Sequence, residues 1–162
     1  SRTFSVKQSG VGLALIISVF IASVLQLVPV SGYLLVLKPN FLLLVVIGWI
    51  IFRPSQWGIG FAAFTGLLAD LIFRAPIGMH VLLFSAVGAI PLYLSGWLVY
   101  FSLIHRCLFV FFLIILAEFM RNILLLMWEI PMDYSYILMT ALASAAVWPA
   151  IDRLLIRVNR KR

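Results

Sequence analysis

Six apolar segments, separated by short breaks that are polar or contain proline, follow one another along the whole chain. The first is the clearest, because no charged residue occurs between Lys7 and Lys38. A helix that crosses a bilayer needs about 20 mostly apolar residues at ~1.5 Å each, so each segment predicts one span. The predicted spans are residues 11–28, 39–52, 57–73, 78–100, 107–128 and 134–151. Together they predict a single domain over residues 1–162, an all-α integral membrane protein built as a compact bundle of six transmembrane helices.

The second span is short for a bilayer. Its apolar run extends only from Phe41 to Phe52 and is followed at once by Arg53. Pro39 suits the first helical turn, where the missing N–H costs nothing. We therefore expect this helix to stand untilted, to be shielded by its neighbours, or to continue beyond its charged ends.

The composition agrees with a membrane protein. Apolar residues make up 65% of the chain and charged residues 10%, whereas a soluble domain has about 45–50% and about 25%. The single cysteine, Cys107, excludes a disulfide framework or a cysteine-based metal site within one chain. The opening apolar stretch is longer than a signal-peptide core and shows no clear cleavage site, so we expect it to be retained as a span.

The net charge of +7 does not indicate nucleic-acid binding, because most basic residues sit at the ends of apolar runs. In a six-span topology, nine of the twelve lie on the side of the two termini, and Lys38 and Arg74 lie on the other side. Basic residues are enriched in cytoplasmic loops, which predicts that both termini are cytoplasmic. The nine are Arg2, Lys7, Arg53, Arg106, Arg153, Arg157, Arg160, Lys161 and Arg162.

Small residues recur at helical spacing on the third span. Gly58, Ala62 and Gly66 form one stripe, while Gly60 and Phe64 lie on a different face. Small residues let helix backbones approach each other in lipid. The stripe therefore predicts either a docking face for another subunit or packing within the bundle.

Glu118 and Arg121 lie within the fifth span and are three residues apart, so they can pair on one helical face. An unpaired charge at such a depth costs about 2.5–3.5 kcal/mol on an insertion scale. Pairing lowers this cost. The pair is either a contact point for a partner's helix, part of a polar cavity, or a structural ion pair within the bundle.

Asp70 and Arg74 have the i,i+4 spacing of a local salt bridge at the end of the third span. Pro76 and Gly78 follow and predict a tight turn into the fourth span. Asp70 could cap the start of the next helix from across this turn, with His80 within reach.

The sequence gives little support for catalysis. His80 and His105 are 25 residues apart, about 38 Å along one helix, so they cannot share a metal or a substrate. Asp70, His80 and Ser85 are a conceivable trio, but no recognised catalytic motif is present. We expect a protein that is not an enzyme and has no metal or cofactor. The basic tail after Asp152 is typical of attraction to anionic lipid headgroups.

The combination of six spans in about 160 residues with a series of short motifs resembles the rod shape-determining MreD family. The motifs are Lys38-Pro39-Asn40 before the second span, Gly66, Asp70 and Leu71 in the third, Pro76 and Gly78 in the turn, and Trp148-Pro149 before the basic tail. The resemblance implies a bacterial inner-membrane scaffold without catalytic activity. It implies that the chain binds MreC and acts with RodA, the elongation-specific penicillin-binding transpeptidase and the MreB filament in lateral-wall peptidoglycan synthesis.

The architecture is also similar to the substrate-binding subunits of energy-coupling-factor transporters, which are compact bundles of six helices. This similarity gives an alternative function, a membrane subunit that binds a small molecule. The residues for that function would be Asp70, Arg74 and His80, together with a polar cavity near Glu118 and Arg121.

Overall fold

The computed structural model describes residues 2–29, 31–32, 40–53, 58–74, 76–98, 100–129 and 137–160. These residues form helices and no strands. The helices are α1 (Arg2–Leu27), α2 (Phe41–Phe52), α3 (Ile59–Ile72), α4 (Met79–Leu98), α5 (Leu103–Leu126) and α6 (Ile137–Arg160).

α2 lies at the centre of the bundle. Every residue from Leu42 to Ile51 is buried, and the helix contacts α1, α3, α4 and α6. Neighbouring helices surround α2, so its length need not match the thickness of the lipid. The expectation that neighbours shield the short second span is confirmed. The Asn40 side chain caps this helix by accepting a hydrogen bond from the Leu43 N–H (3.3 Å), and Pro39 lies outside the described residues.

Two groups of polar contacts lie at opposite ends of the bundle. At one end, which we call the turn end, α3 is followed by α4 and Asp70 binds the turn between them. At the other end, which we call the basic end, Arg106 of α5 contacts Asp152 of α6.

The helices have the surface of a membrane protein. By length and composition, Met79–Leu98, Leu103–Leu126 and Ile137–Val158 could each cross a membrane, and Gly12–Leu27, Phe41–Phe52 and Ile59–Ile72 are shorter apolar helices. Large apolar side chains such as Phe20, Ile104 and Phe112 face outward. Such a surface is expected where the surrounding medium is lipid.

Three helix boundaries differ from the predicted spans by four residues or more. α1 begins at Arg2, α5 begins at Leu103, and α6 continues to Arg160 instead of ending near residue 151. The predicted spans stop at charged residues, but charged residues such as Arg are compatible with a helix. Arg106 and Asp152 pair within the bundle, and both helices continue past them.

Candidate functional site

The small-residue stripe of α3 is divided between two environments. Ala62 is fully buried, and a Cβ atom built at Gly88 of α4 would lie 3.2 Å from the Ala62 Cβ. A Cβ atom at Gly66 would collide with the His80 carbonyl oxygen and lie 2.7 Å from the Val81 Cα. For Ala62 and Gly66, the contacts confirm the alternative of packing within the bundle.

An apolar groove runs between α1 and α3, on the other face of the latter helix. Its volume is about 900 Å³, and it follows each helix over about 15 Å, or three turns. α1 contributes Gly12, Leu15, Ile16, Val19, Phe20 and Ser23, and the α3 side contributes Gly58, Gly60, Phe61, Phe64 and Leu68.

The groove is open where its glycines lie. Cβ atoms built at Gly12 and Gly60 would meet nothing within 4 Å. The adjacent side chains of Ile16, Phe20 and Phe64 are exposed. α1 is held in place from its opposite face, where the indole N–H of Trp49 donates to the Ser18 hydroxyl (2.9 Å). The groove is therefore an accessible apolar surface, and two of its three lining glycines, Gly12 and Gly60, have open space above them.

Asp70 organises the turn between α3 and α4. One carboxylate oxygen accepts a hydrogen bond from the Gly78 N–H (2.8 Å). The other accepts from the His80 N–H (2.8 Å) and lies 2.9 Å from His80 Nδ1. Asp70 is buried, and these contacts confirm that it caps the start of α4 from across the turn.

His80 is also buried and is held between aromatic rings. It stacks on Phe73 with ring centroids 5.2 Å apart and meets the edge of Phe84 at 5.8 Å. The Ser85 hydroxyl donates instead to the Val81 carbonyl of its own helix (2.7 Å). Asp70, His80 and Ser85 thus do not form a connected trio.

The prediction of a salt bridge between Asp70 and Arg74 is wrong. α3 ends before Arg74, which adopts a left-handed backbone with φ of 52° and is exposed. The carboxylate of Asp70 instead turns inward to Gly78 and His80. The i,i+4 geometry needs a helix that continues through both residues, and the helix does not do so here.

Substitution of Asp70 distinguishes its role as the cap of α4 from a salt bridge with Arg74. Asp70→Ala removes the acceptor of two backbone N–H groups and of His80, and buried unsatisfied donors cost about 1–3 kcal/mol each. We expect a clear fall in the melting temperature of the detergent-solubilised protein. Arg74→Ala is the matched control and should leave it unchanged. Equal losses from both variants would contradict the capping role.

Glu118 and Arg121 form the predicted ion pair, with 2.9 Å between Glu118 Oε2 and Arg121 Nη2. The Glu118 side chain is buried and the Arg121 side chain is 36% exposed. The pair lies in the half of α5 that leads to the turn end.

A second buried ion pair was not predicted from the sequence. The Nε and Nη2 atoms of Arg106 each donate to one carboxylate oxygen of Asp152 at 2.9 Å. Nη1 donates to the Phe101 carbonyl (2.7 Å), and the guanidinium lies over the Phe52 ring at 5.8 Å. The partners are 46 residues apart, so no local spacing reveals the pair. The only signal was an acid just inside the basic tail.

The described residues include no group of three or more His, Cys, Asp or Glu side chains able to hold a metal ion. Their polar side chains stabilise turns and join helices, while the open surface is the apolar groove between α1 and α3. The class of protein that the fold and this site define is a helical membrane protein with a surface suited to helix contacts.

Two comparisons with known proteins give the family. A family model described as "rod shape-determining protein MreD" matches residues 7–158. A rod shape-determining protein MreD of Haemophilus influenzae is 32% identical over 148 residues, covering 87% of this chain and 87% of that protein. No solved structure matches the chain. The chain belongs to the MreD family, and the resemblance read from its motifs is confirmed.

Proposed function

We propose that this chain is a non-enzymatic scaffold of the bacterial inner membrane that binds MreC and helps to organise lateral-wall peptidoglycan synthesis. Membership of the MreD family supports a role in rod shape determination. The proposal adds a mode of action, in which the bundle holds the single transmembrane helix of MreC. The turn end then faces the periplasm and both termini face the cytoplasm.

The groove between α1 and α3 is the observation that carries this proposal. Helices associate in lipid where small residues allow close backbone approach. Gly12 and Gly60 offer such an approach from two sides, with open space above both. The walls are apolar, which suits an apolar helix. We place the MreC helix in this groove and not on the buried face of Ala62 and Gly66.

RodA, the elongation-specific penicillin-binding transpeptidase and the MreB filament complete the proposed assembly. A bundle with short connections has little surface outside the membrane, so we propose that these partners are reached through MreC and through lipid-facing helices. The exposed apolar side chains of α5, such as Leu108 and Phe112, offer further helix surface.

The alternative function as a transporter's ligand-binding subunit gains no support. Both carboxylate oxygens of Asp70 are engaged by the turn, and Arg74 is exposed and forms no ion pair with Asp70. Neither the family match nor the relative indicates transport.

Replacement of the groove glycines Gly12 and Gly60 by leucine tests the proposal. Gly12→Leu and Gly60→Leu fill space that a partner helix needs, and a Cβ at either position meets nothing within 4 Å in the bundle. We expect both variants to reach the membrane at normal levels and to lose MreC from a mild-detergent pull-down of the tagged chain.

Gly96→Leu is the matched control for these variants. Gly96 is also a helical glycine with nothing within 4 Å of a built Cβ, but it lies on α4 and is not among the residues that line the groove. This variant should recover MreC as well as the parent does. Recovery of MreC by all three variants would contradict docking in the groove. Recovery of an ATPase with its membrane coupling subunit would contradict the scaffold function itself.

A further inference from the structure

The basic end holds one acidic residue among those that the structure describes, Asp152, and this residue pairs with Arg106. The chain has five Asp and Glu residues against twelve Lys and Arg. Three of the acids are occupied in the interior, Asp70 by His80, Glu118 by Arg121 and Asp152 by Arg106. Glu129 follows the end of α5 and so lies at the turn end. Asp133 lies outside the described residues.

Arg153 and Arg157 are exposed on the last turns of α6. Neither forms an ion pair with any residue in the described part of the chain. They are four residues apart and therefore lie on the same side of the helix. The pairing of Asp152 with Arg106 fixes the rotation of α6, because the buried acid must face α5. Both arginines are thus presented outward on a rigid helix.

The surroundings of the two arginines are those of a membrane interface. Leu154 is 59% exposed and Val158 is 36% exposed beside them on α6. Trp97 and Tyr100, where α4 ends at the same end of the bundle, are 68% and 88% exposed. Exposed Trp and Tyr side chains mark the level of the lipid headgroups. These exposed apolar and aromatic side chains indicate that the end of α6 lies near the level of the headgroups.

We propose that Arg153 and Arg157 form a binding surface for the phosphate groups of anionic phospholipids at the end of α6. Arginine binds phosphate through parallel hydrogen bonds and keeps its charge in all conditions of interest. The exposed Leu154 and Val158 contact the acyl chains of the same lipid. These apolar neighbours favour a lipid over an acidic protein segment as the ligand. A protein outside the membrane would cover the two arginines but would not contact Leu154 and Val158.

A lipid-dependent melting experiment tests this surface. The whole protein is solubilised in an uncharged maltoside detergent, and palmitoyl-oleoyl phosphatidylglycerol or the matching phosphatidylcholine is added. Unfolding is followed by the fluorescence of the five tryptophans. We expect phosphatidylglycerol to raise the melting temperature more than phosphatidylcholine does. The difference should shrink in high salt, which screens exposed charges.

Charge-matched variants assign the effect to these residues. Arg153→Gln with Arg157→Gln should remove most of the difference between the lipids, and Arg153→Lys with Arg157→Lys should retain much of it. Lys38→Gln with Arg74→Gln removes the same charge elsewhere and should leave the difference intact. An equal loss in this control, or an undiminished difference in the glutamine variant, would overturn the proposal. No advantage of phosphatidylglycerol in the parent protein would also overturn it and would favour an acidic protein partner.

Discussion

Asp152→Ala should destabilise the bundle by about 3–5 kcal/mol, because removing one partner of a buried ion pair leaves the other charge uncompensated. Arg106 is only 8% exposed and has no second carboxylate among the described residues. Its remaining contacts are one hydrogen bond to the Phe101 carbonyl and the face of the Phe52 ring. We expect the variant to accumulate poorly in membranes and to melt well below the parent protein in detergent.

The double variant Arg106→Met with Asp152→Val distinguishes the lost charge balance from lost packing. Replacing both members of a buried pair by apolar residues of similar volume is often neutral or stabilising, so this variant should recover most of the stability. Glu129→Ala is the control for loss of an acid, since Glu129 is exposed and joins none of the three ion pairs found in the described residues. If Asp152→Ala alone is as stable as the parent protein, the pair is not important for the stability of the bundle.

Gly66→Ala should destabilise the protein by about 1–3 kcal/mol, the usual effect of overpacking a close contact. The added Cβ would meet the backbone of His80 and Val81, and backbone cannot move aside as a flexible side chain can. The turn that Asp70 caps lies directly beside this contact. We therefore expect the substitution to lower the melting temperature and to weaken the hydrogen-exchange protection of the start of α4.

Gly96→Ala is the matched variant for Gly66→Ala, and we expect it to stabilise the protein instead of destabilising it. A Cβ at Gly96 meets nothing within 4 Å, and replacing glycine by alanine inside a helix usually gains about 0.5–1 kcal/mol. The two variants should thus differ in sign. A neutral or stabilising Gly66→Ala would show that α3 and α4 do not pack as closely as described.

Local patterns were enough to predict the helices and one of their caps. Long apolar runs indicate where helices form, and Asp70 precedes by only eight residues the Gly78 N–H from which it accepts a hydrogen bond. The cap that Asn40 provides for α2 was not predicted. The Glu118–Arg121 pair was also predictable from the sequence, because its partners are three residues apart on one helix. Each of these features depends on neighbours in sequence.

Features that depend on which helix faces which were not predictable in this way. The pairing of Arg106 with Asp152 joins two helices. The small-residue stripe gave no indication that Ala62 and Gly66 pack within the bundle while Gly58 lines an open groove. The helical surfaces are apolar on nearly all sides, so hydrophobic periodicity does not distinguish the lipid-facing side from the packed side.

The central claim is that the groove between α1 and α3 holds the transmembrane helix of MreC, and site-specific photocrosslinking in cells tests it most directly. A photoreactive phenylalanine analogue replaces either Phe64 in the groove or Phe112 on α5. The two side chains are 60% and 64% exposed, so both are equally accessible to a partner and the two variants differ only in the position of the photoreactive group. The account predicts an adduct with MreC from position 64 and none from position 112. An adduct from position 112 alone, or none from either position while MreC still co-purifies, would contradict it.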